Sequence, residues 1–413
     1  MNQGRPGRGQ TFIPVEPEQR IEILDLLRGF ALLGIIFYNM LFFSGYVFAH
    51  FSELKRLFDF ALNERIYGFL DIVITAKFYT LFSILFAVGF FIQLNKHGGD
   101  GAGFLKTYRR RLYILFTIGL AHSLVWYGDI LLTYSLIALV MILFRNVRPK
   151  PLLRWSVFFL TLPLLIDMAL LPFAGSLHPV AASPISSAHV SYPDVDPSAV
   201  IRTFQDGTIA EVFILNAHNI VWKYLSYFPS GGYFTYLGIF LLGYYLASIG
   251  FFLKKRISTR FWLGCMAIGF AATLAAKALG GNVYLFPPTL LNALYKALLT
   301  VGQIFVCFFY IASVFRISQM GIGKKISRRL IPVGRMALSN YLLQTILMVA
   351  IFYPFGLGLI GRIGLIPTSC IAISVLMVEI VISNAWLNRF RFGPMEWLWR
   401  SLTYRKWIRN RRS

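Results

Sequence analysis

The chain has 413 residues, 57% hydrophobic and only 14% charged, and its mean hydropathy of +0.64 excludes a soluble globular domain of this size. Its net charge of +23 falls in the connections between apolar runs, a distribution that excludes nucleic acid as its cause and reads as a set of topology signals. Cys265, Cys307 and Cys370 stand in apolar runs with no CxxC or histidine pairing, so neither a disulfide framework nor a metal site is expected.

Taken in order, residues 1–20 form a polar tail, and the apolar run after it is too long for a signal-peptide core, so it is expected to stay as a first span. Ten apolar runs follow one another, at about 24–48, 70–94, 112–127, 130–144, 153–174, 231–253, 261–280, 289–315, 332–353 and 365–388. They predict an all-α, polytopic membrane domain over residues 21–388. The third and fourth runs are short, and fit either two spans or a re-entrant pair. Thirty of the 40 Lys and Arg residues lie in alternate connections and six in the others, which puts both termini in the cytoplasm. The external segment 175–230 reads as a Ser/Pro-rich loop followed by an amphipathic helix lying on the outer surface. Residues 389–413 mix tryptophan with arginine, which suits a cytoplasmic helix on anionic inner-leaflet lipids.

The stretch RRRLYILFTIGLAHSLVWYGDILLTY, residues 109–134, concentrates the polar groups. Arg109, Arg110 and Arg111 mark a membrane face; His122 lies roughly 16 Å deeper at helical rise, and Asp129 roughly 10 Å beyond it. An ionisable residue at that depth is costly and marks a functional site unless it is a packing histidine bonded to a neighbour. Ten ångströms is too far for a bond, so Gly128 is expected to break the helix and turn Asp129 back toward His122. Tyr134 closes the stretch. In the first run, Asp25 and Arg28 share a helical face as an ion pair or a ligand site, and Asn39 lies deeper. Lys77 in the second run either snorkels outward or partners Asp71 or Asp129. Arg335, Asn340 and Gln344 recur near helical spacing as one polar stripe. His50 follows the first run at the outer surface, where it could meet Asp129; His178, His189 and His218 are external.

The segments LDLLRGFALLGI, KFYTLFSILFAVGF, RRR…GLAH…WYGDILLTY, GRMALSNYLLQT and GPMEWLWRSLTY resemble the YeiB-like family of bacterial integral membrane proteins over nearly the whole chain. That family is similar, distantly, to transmembrane acyltransferases that include the heparan-alpha-glucosaminide N-acetyltransferases. The resemblance implies transfer of an acyl group from cytoplasmic acyl-CoA to an acceptor beyond a bacterial plasma membrane, with a histidine in the chemistry and no metal. In the acyltransferases, an aspartate with RG, an asparagine and a histidine are spaced as Asp25, Arg28, Gly29, Asn39 and His50 are here. YeiB-like members instead share the histidine before GDIL, His122.

Three readings follow. In an acyltransferase, Arg28 and Arg109 to Arg111 would hold CoA phosphates bidentately. His122 would act as base or be acylated, and Asp129 would steady its imidazolium. In a transporter, Asp25, His122, Asp129 and Lys77 would relay protons or ions. In a scaffold, the same residues would form a structural polar core.

Overall fold

The computed structural model describes residues 21–47, 60–96, 102–176, 197–228, 230–254, 256–281, 283 and 288–412. Among them there is no β-strand beyond one isolated bridge, Phe390 to Arg411. The described residues form fifteen α-helices, in order. They are α1 (Glu22–Phe43), α2 (Phe60–Val73), α3 (Lys77–Lys96), α4 (Ala102–Val125) and α5 (Leu131–Met141). Next come α6 (Pro149–Leu170), α7 (Pro197–Asp206), α8 (Ile209–Ser226), α9 (Gly232–Ser248) and α10 (Thr259–Leu279). The last are α11 (Leu290–Gln319), α12 (Gly321–Arg335), α13 (Ala337–Phe352), α14 (Leu365–Arg389) and α15 (Pro394–Tyr404).

This is an all-helical membrane protein. Among the described residues, six helical segments are long and apolar enough to cross a bilayer, or seven if the bent pair α12 and α13 counts as one. Three expected spans fall outside that set for visible reasons. In α4 the arginines leave only Leu112–Val125 apolar, α5 has 11 residues before a short 3-10 turn, and α9 has 17.

Breaks in the helices organise the fold. The expected second run is interrupted at Ala76, whose φ is +68°, and it begins ahead of the break as α2. Lys77, just past the break, donates to the Asp71 carbonyl at 3.0 Å, satisfying an acceptor that the end of α2 leaves open. The Asp71 carboxylate pairs instead with Lys277 of α10. The basic connection expected between the runs 289–315 and 332–353 holds most of α12, which turns through 83° into α13. Its charges follow one face, and the other face crosses α1 so closely that a Cβ on Gly29 would lie 2.5 Å from the Leu330 carbonyl. Gly334 faces the Asp25 carbonyl more tightly still.

Helices α4 and α5 form a hairpin, and at Gly119 a Cβ would come within 2.5 Å of the Leu132 nitrogen. Helix α15 lies across the Arg end of α4 and the start of α13. Its Glu396 accepts hydrogen bonds from the Leu338 and Ser339 amides at 2.7 and 3.1 Å and from the Ser339 hydroxyl. A carboxylate there caps the exposed N–H groups of α13 and complements its dipole.

Candidate active site

Helix α4 ends at Val125 because the next turn is given over to Trp126, Tyr127 and Gly128. Trp126 stacks on Phe43 with centroids 4.7 Å apart, and its indole fills the space where a Cβ on residue 128 would stand. Glycine is therefore required for the chain to turn under the ring. The turn brings Asp129 back against α4, and its Oδ2 lies 2.7 Å from His122 Nδ1. Asp129 Oδ1 accepts the Leu132 N–H at 2.7 Å, so one carboxylate both starts α5 and holds the imidazole.

On the other side of the ring, His122 Nε2 lies 2.9 Å from the hydroxyl of Thr345 on α13. His122, Asp129 and Thr345 are all buried. A carboxylate only accepts, so Nδ1 carries a ring hydrogen and donates it to Asp129, and in the neutral imidazole Nε2 then accepts from Thr345. Hydroxyl, imidazole and carboxylate in that order form the arrangement in which a base is oriented by an acid and directed at an O–H group. Tyr341 packs on His122 with ring centroids 5.1 Å apart and accepts the Ile130 N–H at 3.2 Å.

Helix α8 closes this site from one side. Asn216 Nδ2 donates to the carbonyls of Leu124 and Val125 at 3.1 and 2.9 Å. Lys223 donates to the carbonyls of Tyr127 and Asp129, and burial lowers its ammonium to about 8. The helix is amphipathic as expected, but inside out: Asn216 and Asn219 are buried, while Ile214, Val221 and Leu225 are exposed.

The other residues singled out by sequence lie apart from the imidazole. Asn39 is buried on α1. Arg28 pairs with Asp25 at 2.7 Å. Tyr134 turns to α3, accepting from Ser83 and donating to the Tyr79 carbonyl. Arg335 ends α12 and donates weakly to the Arg391 carbonyl at 3.5 Å. Asn340 and Gln344 do not line a path to His122; they face α14, where Asn340 donates to Ser383 at 2.9 Å and Gln344 to Glu379 at 3.0 Å. Of the three arginines, Arg109 is exposed, whereas Arg110 and Arg111 engage α15. His50, His178 and His189 lie outside the described residues, so the meeting of His50 with Asp129 does too.

Sequence reading missed Thr345, Glu379, Lys223 and the buried pair Lys296 and Asp167, 2.8 Å apart. Glu379 had a signal, since it is a lone acid inside an apolar run. Thr345 had none, because a single threonine in an apolar helix usually bonds back to its own backbone.

No solved structure matches the chain. Residues 246–406 match the family described as "Protein of unknown function (DUF418)". The chain is 32% identical over 406 residues to "Uncharacterized protein YxaH" of Bacillus subtilis (strain 168), covering 95% of this chain and 96% of that protein. It is 30% identical over 405 residues to "Uncharacterized protein YeiB" of Escherichia coli (strain K12), covering 94% and 97%. A third relative, "Uncharacterized 39.9 kDa protein in amylase 3'region" of Bacillus acidopullulyticus, is 25% identical, covering 95% and 96%. With such identity sustained from end to end, the chain belongs to the YeiB-like family of membrane proteins, whose function is unknown.

Proposed function

We propose that the protein is a bacterial plasma-membrane acyltransferase that takes an acyl group from cytoplasmic acyl-CoA and delivers it to an acceptor at or beyond the outer face. The observation that supports this reading is the buried hydroxyl–imidazole–carboxylate array of Thr345, His122 and Asp129. Thr345 marks the place where an acceptor hydroxyl or amine would meet Nε2. The acceptor would lose its proton to Nε2 while its oxygen or nitrogen attacks the thioester carbonyl. Collapse of the tetrahedral adduct would expel the CoA thiolate, which recovers the proton from the imidazolium. Asp129 would stabilise that imidazolium throughout. Arg109, exposed, and Arg28, whose side chain is 27% exposed, are the guanidinium groups open to CoA phosphates; the topology belonging to this reading has ten crossings with both termini cytoplasmic.

A second reading, a transporter, draws on Glu379, an acid wholly buried on the long apolar helix α14. The two part in one experiment. Purified protein in liposomes is given radiolabelled acetyl-CoA, and release of free CoA is followed for wild type and His122→Gln. Acyl transfer predicts CoA release that His122→Gln abolishes. No turnover by the wild type, or equal turnover by both, overturns the proposal. Reporter fusions at residues 100 and 190 should read inside and outside; the same reading from both overturns the topology.

A further inference from the structure

Helix α8 lays a polar stripe along the broken end of α4, and part of that stripe has nothing to bond. Asn216 holds the carbonyls of residues 124 and 125, and Lys223, two turns on, holds those of 127 and 129. Asn219 lies between them on the same face, and is therefore level with Trp126. Asn219 and Trp126 are each 1% exposed. Neither Nδ2 nor Oδ1 of Asn219 has a hydrogen-bond partner; nor has Trp126 Nε1 or Asn216 Oδ1. Buried amide and indole groups left like this carry their full desolvation cost, and such groups on two segments that face each other call for a polar occupant.

The chemistry of the orphaned atoms describes that occupant. Two are donors and two are acceptors, all neutral, and Lys223 is already engaged with backbone carbonyls. A phosphate or carboxylate would leave the acceptors unmet, and an ammonium would leave the donors unmet. A hydroxyl group both donates and accepts and so satisfies the set. The position is also suggestive, because Trp126 follows His122 by one helical turn and meets its ring edge-on at 6.1 Å. The outward face of α8, with Ile214 68% and Val221 57% exposed, suits acyl chains better than water.

We propose that Asn219, Asn216 and Trp126 form a subsite for the neutral, hydroxyl-bearing head of an amphiphile in the outer leaflet. Its role as acyl acceptor rests on the acyltransfer reading; its existence as a binding site does not.

The test measures binding to the full chain in lipid nanodiscs with three probes: 1-monooleoylglycerol, methyl oleate, which keeps the chain but has no free hydroxyl, and glycerol. Wild type should bind 1-monooleoylglycerol well above methyl oleate. Asn219→Leu and Trp126→Phe should each weaken that binding about tenfold. Trp126→Phe keeps the stacking on Phe43, so it reports on the N–H even if Asn219→Leu folds poorly. Absence of binding to wild type, equal binding of the ester, or binding by both variants equal to that of wild type overturns the subsite. Glycerol binding as well as the monoacylglycerol overturns the lipid source. His122→Gln should bind as wild type does while losing transfer. If it transfers normally yet binding still depends on Asn219, the acyltransfer reading falls and the subsite stands.

Discussion

Arg111 and Trp399 are joined twice: the guanidinium carbon sits 3.6 Å from the centroid of the indole, and the indole N–H donates to the Arg111 carbonyl at 2.8 Å. Arg110 adds a bond to the Thr403 carbonyl at 2.9 Å. Since Glu396 on the same short helix caps α13, α15 fastens together the helix that carries His122 and the helix that carries Thr345. The spacing of the imidazole and the hydroxyl is thus set partly from the end of the molecule where α15 lies.

This relationship separates two roles of the arginines. Arg111→Lys keeps the positive charge that the sequence reads as a topology signal but loses the planar stacking surface. The substitution is expected to cost about 0.5–2 kcal/mol of stability in detergent and to leave reporter fusions unchanged. Trp399→Leu should cost a similar amount, and less when Arg111→Lys is already present. Strict additivity of the two in a double-mutant cycle would show that the contact contributes nothing.

The α4–α5 hairpin depends on two glycines for different reasons. At Gly119 the obstacle to a side chain is the backbone of Leu132, which cannot rotate away, whereas at Gly128 it is the Trp126 ring. Gly119→Val should therefore lower folded yield sharply. Gly128→Ala should displace the indole from Phe43 and destabilise by about 1–3 kcal/mol, the usual cost of overpacking. Size-exclusion profiles and intrinsic tryptophan fluorescence of the two variants check this ordering. An unperturbed Gly119→Val protein would contradict the close packing of the hairpin.

How much of this was legible beforehand varies residue by residue. Gly128 before an acid, two turns past a histidine, was enough to foresee the break and the return of Asp129, because a local turn brings them together. Thr345 lies 223 positions from His122 in sequence, and only tertiary packing pairs them. The same limit hid Lys277 as the partner of the Asp71 carboxylate, while Lys77, one of whose alternatives was Asp71, meets that residue at its carbonyl instead. Helix α12 was hidden by its own charges: counting Lys and Arg as loop signals obscured their confinement to one face. In α8 the sequence showed amphipathicity, but which face turns inward follows from the open carbonyls at the end of α4.

Lys223 gives the site a pH dependence of stability. Its folded-state value is lowered by burial to about 8 from an ordinary 10.5, so between these limits the unfolded chain holds a proton that the folded protein has released. Stability contributed by this group should therefore rise as pH increases from about 8 toward 10.5, and stay flat below 8. Lys223→Met removes the ammonium and should make that rise smaller. Melting curves of both proteins across this range decide the matter; a rise of equal size in Lys223→Met would assign it to another group.

Asp129 does two jobs with its two oxygens, and a pair of substitutions can separate them. Oδ1 starts α5 through the Leu132 N–H, while Oδ2 accepts from His122. Asn at this position keeps an oxygen for the cap but has no second acceptor and no charge, so Asp129→Asn should fold in near-normal amounts. Under acyl transfer, its turnover should fall by about a thousandfold, as for a base that has lost its orienting acid. Asp129→Ala loses the cap as well and should lower folded yield. Thr345→Val conserves shape and removes the hydroxyl from Nε2. If Thr345 only marks the place of an acceptor, this variant keeps turnover within a few-fold of wild type. If Thr345 itself takes up the acyl group, turnover disappears. Measured together as CoA release per folded molecule, the series also tests the scaffold alternative. A structural polar core would show Asp129→Asn, Thr345→Val and His122→Gln losing folded protein in parallel, with no catalytic rate to distinguish them.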